Sequence, residues 1–175
     1  MTTYACGGRG WPRQRRCGMA RISLSAIKIN KAFSQETNCF RANLHLDGVK
    51  VGTVENDGHG GNDHVWVDPA SGVTLDALIE AADADNTARG EESTLGDDLG
   101  RRFALEIAVS NLLDRHEEEK FLKRHCKTKL VFRLPEDPVG EWRTMTKPYS
   151  EGCKAWVLAK YPNAIIANER VGLVG

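Results

Sequence analysis

A chain of 175 residues is long enough for one domain with a real hydrophobic core, and 41% apolar with 27% charged residues excludes a disordered or fibrous class. Lysines and arginines total 24 and so do aspartates and glutamates, so no global field points to nucleic acid, a membrane surface or an acidic substrate. No apolar run approaches the roughly 20 residues of a bilayer crossing, and the first residues lack the apolar centre of a secretory signal.

Residues 1–20 stand apart. They hold Arg9, Arg13, Arg15 and Arg16, four glycines and no acid, without helical or strand period. They read as an extended basic arm, or as a start placed too early with Met19 the initiator. A phosphate-tracking arm is the functional alternative. The rest of the chain, from residue 21, reads as a single α+β domain.

Ile22, Leu24 and Ala26 alternate, then Ile27 and Ile29 continue on the other parity, which predicts a strand with a bulge near Ala26-Ile27. After the polar stretch Ser34–Asn38, Phe40, Ala42, Leu44 and Leu46 alternate with Arg41, Asn43 and His45, as a half-buried strand does. Asp47-Gly48 separates this run from Val49–Val54. Asp-Gly between alternating runs predicts a type I′ hairpin, whose central residues both need φ > 0. Val65-Trp66-Val67 completes a three-strand meander.

The middle is helical. Thr74 caps a helix from Leu75 to about Ala84 with Leu75, Leu78, Ile79 and Ala82 on its inner face. Thr94 and Asp97 resemble a capping box for a helix from about Asp98 to Arg124, whose apolar stripe is Leu105, Ala108, Val109, Leu112 and Leu113. Leu130, Phe132 and Leu134 then alternate, Pro135–Gly140 turns, and Glu141–Met145 returns as the second strand of a hairpin. Ser150 caps a short helix with Cys153, Trp156 and Val157, and Ala164–Ala167 forms a last buried strand. Clustered strands and clustered helices predict an α+β fold, its antiparallel sheet built from the meander and the C-terminal hairpin against two or three helices. Trp142, Trp156 and Tyr161 are expected to pack at the core or its edge.

Cys6, Cys17, Cys39, Cys126 and Cys153 are odd in number, widely spaced and free of any CxxC pair. That argues for free thiols in a reducing compartment, hence the cytoplasm, with Cys39 and Cys153 as small core residues.

Chemistry concentrates in Asn56–His64, where Gly58, Gly60 and Gly61 allow tightly folded backbone that approaches a partner closely. Asp57, His59, Asn62, Asp63 and His64 are the candidate partner-binding residues. His59, Asp63 and His64 are also candidate metal ligands, or a general base with an electrostatic partner. The plain alternative is a glycine-rich turn whose Asn and Asp side chains satisfy their own backbone. Lys120, Lys123, Arg124, Lys127 and Lys129 form a basic run that could meet nucleic acid, although a helix C-terminus favours cations anyway and Glu117–Glu119 lie just upstream. No GxSxG, phosphate loop or dinucleotide fingerprint occurs, and no cofactor is expected.

The stretch Ser34–Ala42, Asp47-Gly48, the NDGHGG run at 56–61, the Arg133–Tyr149 region and Tyr161–Glu169 resemble small proteins of bacteria and their phages to which no activity is attached. The resemblance spans about residues 22–169 and implies an accessory or counter-defence role in a phage or mobile element, with no residue roles. The expectation is therefore a non-enzymatic binding protein acting on a protein partner, with no membrane partner. Two alternatives stand beside it. One is a nucleic-acid-binding protein using the basic helix end; the other is a metal-dependent enzyme using His59, Asp63 and His64.

Overall fold

The computed structural model describes residues 21–170 apart from 91, 92, 94, 95 and 97. The basic arm and the Thr94–Asp97 capping pair lie outside those residues. The fold is α+β. Strands β1 (Ile22–Ile29), β2 (Phe40–Leu46), β3 (Val49–Asn56) and β4 (His64–Val67) form an antiparallel sheet in chain order. Helices α1 (Leu75–Ala88) and α2 (Asp98–His125) cover one face. Strands β5 (Leu130–Arg133), β6 (Arg143–Met145) and β7 (Ile165–Ile166) form a second antiparallel sheet in the order β6-β5-β7, with α3 (Glu151–Lys160) and the short α4 (Ala167–Arg170) beside it.

The meander thus gains β1 as a fourth strand, and the C-terminal hairpin builds a sheet of its own instead of extending the first. The parity change in β1 is a bulge: the register shifts between Ser25 and Lys28, and Ala26 takes φ +50°. The extra residue keeps Ile22, Leu24, Ile27 and Ile29 all against the core. At the β2–β3 turn Asp47 and Gly48 take φ +53° and +80°, as the hairpin requires. Asp47 also holds the start of β1, since Arg21 N donates to its Oδ1 at 3.0 Å and its own N donates to the Arg21 carbonyl oxygen.

The main core joins Ile22, Phe40, Ala42, Leu44, Val51 and Val54 of the sheet to Leu78, Ile79 and Ala82 of α1 and to Ala104, Leu105, Ala108, Val109 and Leu113 of α2. Thr74 caps α1 as expected, its Oγ1 accepting from Ala77 N at 3.2 Å. Leu75 is exposed instead of inward, because the inner stripe moves on to Ala81, Ala82 and the buried Asp83 and Asn86. Asn86 Nδ2 donates to the Ala104 carbonyl oxygen at 2.8 Å and joins the two helices.

A second core gathers Leu130, Phe132 and Leu134 with Val157 and Ile166, while Val131, on the other side of β5, packs with Cys126 and Ala167. Ser150 caps α3 through Cys153 N at 3.2 Å. Of the expected last strand only Ile165-Ile166 pairs, because Ala167 and Asn168 already turn into α4. Buried Asn168 accepts from Val131 N and donates to the Cys126 and Lys129 carbonyl oxygens. Trp142 and Tyr161 sit at core edges, but Trp156 is exposed, since Val157 and not its neighbour faces inward. Among the described residues Cys126 is buried, and Cys39 and Cys153 are half-buried. Among the described residues no helix is long and apolar enough to cross a membrane.

Candidate functional site

The glycine-rich segment is half of a double loop. The other half is 30–39, closed at its base by Asn30 N donating to the Cys39 carbonyl oxygen at 2.8 Å. Ser34 Oγ donates to the Asn30 carbonyl oxygen and accepts from Cys39 N. Between the halves, the Gly58 carbonyl oxygen accepts from the amides of Gln35 at 2.9 Å and Glu36 at 3.1 Å. Buried Asn56 is the hinge-pin. Its Oδ1 accepts from Thr37 Oγ1 at 2.7 Å and Gly58 N at 2.9 Å, and its Nδ2 donates to Asp63 Oδ1 and to the Gly61 carbonyl oxygen. Gly58 has no room for a side chain: a Cβ there would lie 2.3 Å from the Phe33 carbonyl oxygen. A loop this cross-bonded loses little conformational entropy when something docks on it.

The five candidate loop residues fall into three environments. Asp57, His59 and Asn62 are exposed at the apex; Asp57 Oδ1 accepts from His59 N, and the His59 ring meets Gln35 Oε1 at 3.3 Å. Asp63 turns inward toward α2. His64 lies on β4, opposite Glu55 on the sheet. The residues proposed as metal ligands therefore diverge, and among the described residues no group of three or more His, Cys, Asp and Glu side chains converges that could hold a metal.

Asp63 lines a cavity of about 290 Å³ with Thr37, Asn38, Asn56, Glu106 and Ser110. Burial pushes the Asp63 carboxyl up, against the opposing pull of the Asn56 amide and the His64 charge. Glu106 is raised too, first by burial and then by the Asp63 charge, while the Asp63 backbone N–H draws it down. Two neighbouring carboxyls of this kind can take up a proton near the loop base. Glu106 was not legible as a candidate, because only the fold carries that helix flank to the loop.

The basic helix end is partly neutralised. Lys120 pairs with Glu117 at 3.4 Å and Lys123 with Glu119 at 3.3 Å, both exposed i,i+3 or i,i+4 pairs. Glu117 also holds Lys31 of the 30–39 loop at 2.7 Å, which keeps its carboxyl below the usual glutamate range. Arg124 and Lys127 are exposed and Lys129 is half-buried. The run thus spends part of its charge on its own helix, and it is the upstream acid Glu117 that anchors the double loop.

One residue that the sequence pattern did not mark is Phe33. It is 56% exposed, in the loop half whose backbone abuts Gly58. No known protein family, no curated protein and no solved structure matches the chain.

Proposed function

We propose that the chain is a non-enzymatic binding protein that engages a protein partner through its double loop. The carrying observation is an exposed aromatic, Phe33, held beside the polar apex of Asp57, His59 and Asn62 on a backbone fixed by hydrogen bonds. An aromatic anchor ringed by polar groups on a preorganised backbone is the chemistry of a protein-binding hot spot. An accessory role in a phage or mobile element is compatible with the resemblance of the 34–42 and 56–61 stretches.

The test compares the parent with a Phe33→Ala, His59→Ala variant as bait in nuclease-treated lysate. Both side chains are largely exposed, so the variant should melt within about 1 kcal/mol of the parent and yet lose the protein the parent retains. Full retention of that protein together with a large drop in stability would make the double loop scaffold only.

A further inference from the structure

The meander sheet has a second face. Helices α1 and α2 cover the side of Phe40, Ala42, Leu44, Val51 and Val54, and among the described residues no element covers the other. Strand register arranges that open face in rows. One runs Lys28, Arg41, Glu55, His64; the next runs Ser25, Asn43, Thr53, Trp66; beyond it His45 stands beside Lys50. Trp66 is 57% exposed on the edge strand.

From these rows we infer that the open face binds single-stranded nucleic acid, with a base stacked on Trp66 and phosphates on Lys28, Arg41 and Lys50. Charge supplies the first argument. The four arginines of residues 1–20 have no matching acid, so the remainder of the chain carries four more acids than bases. On that acidic body the open face has three permanent cations against one acid, Glu55. Its ion pair with Arg41 is 3.6 Å long and exposed on both sides, so a phosphate can displace it at little cost.

The second argument is the kind of apolar group present. A protein interface centres on a contiguous apolar patch, whereas this face offers one flat aromatic among hydroxyl, amide and imidazole groups. Trp66 presents a ring to stack on, and Ser25, Asn43 and Thr53 alongside can hydrogen-bond base edges that duplex pairing would hide. Like charge disfavours the Arg-rich residues 1–20, or the same face of a second copy, as the occupant. This surface stands apart from the double loop, and its assignment does not rest on that of the loop.

The measurement is fluorescence anisotropy of the full chain with a labelled oligothymidylate of about 12 nucleotides, in salt from about 50 to 200 mM. Trp66→Ala should weaken binding at least about five-fold, the loss of one stacked base, and Trp66→Phe should restore most of it. Replacing Lys28, Arg41 and Lys50 by Gln should reduce the log–log salt slope by about 2. All these side chains are surface groups, and unchanged circular dichroism melts will confirm that the variants fold. Absence of binding by the parent at about 50 mM salt would overturn the assignment. So would binding that Trp66→Ala leaves intact, because the contact would then lie elsewhere, as on the basic arm or the Lys123–Lys127 helix end.

Discussion

Asn56 uses the full capacity of its amide: the oxygen accepts two hydrogen bonds and the nitrogen donates two, in a position 6% exposed. That places the rigidity of the double loop in a few atoms, and two of its glycines should respond very differently to substitution. Gly58 has φ +86° and faces the Phe33 carbonyl oxygen, so Gly58→Ala adds a steric clash to backbone strain and should cost about 3 kcal/mol. Gly61 has φ +95° but open space around it, so Gly61→Ala should cost roughly 1 kcal/mol. Equal urea midpoints for the two variants would show that the halves do not hold each other.

At the base of the same loop, Glu106 is protonated more readily in the folded than in the unfolded chain, since burial and then Asp63 raise it above its ordinary 4.5. A raised carboxyl contributes stability below its unfolded pKa and loses it as pH rises through the folded value. Glu106→Gln should therefore melt above the parent at pH 7, with the gain fading as pH falls through the raised folded value toward 4.5 and absent well below it. A gain independent of pH would remove the electrostatic cause.

The β2–β3 turn shows what local sequence decides. Gly48 sits at φ +80°, so Gly48→Val forces a β-branched residue into left-handed backbone, whereas Lys50→Val places one in an exposed strand position that suits it. Chemical denaturation should find Gly48→Val less stable than Lys50→Val by about 2 kcal/mol; equal values would mean the turn tolerates another geometry. This turn, the bulge in β1 and the caps at Thr74 and Ser150 were legible because each depends on neighbours along the chain. The division of strands between two sheets was not, since it depends on which faces α2 and α3 cover. Leu75 and Trp156 were misplaced for a related reason: helical period marks a stripe, but packing chooses its edges. The candidate site was legible only in part. Three glycines announced residues 56–64, yet Phe33 is a lone aromatic in a polar stretch, and nothing near it in sequence signals the Gly58 contact.

At the scale of the molecule, α2 couples the two sheets. Its 28 residues span about 42 Å, with Ala104 to Leu113 in the main core and Phe121 and Leu122, beside Cys126 just past the helix end, against Val131 and Ala167. The Trp142 indole N–H donates to Glu118 Oε1 at 2.7 Å, and Arg133 lies over the Trp142 ring, so the second sheet grips the helix by polar contacts too. β5 is the link: Leu130 and Phe132 face the α3 side, and Val131 faces α2. Loss of the second core frees the last turns of α2, and helix ends propagate their disorder inward because each turn is held by the next. Leu130→Ala, at a fully buried position, should leave a cavity costing about 3 kcal/mol and lower the melting temperature by roughly 10 °C in one transition. Far-ultraviolet dichroism, which follows the helices, and tryptophan fluorescence should then report the same midpoint. A split melt, with the indole signal of Trp142 and Trp156 (read in a Trp11→Phe, Trp66→Phe background) lost before α2, would instead make the C-terminal sheet an independent folding unit, and the continuous helix would not couple the cores.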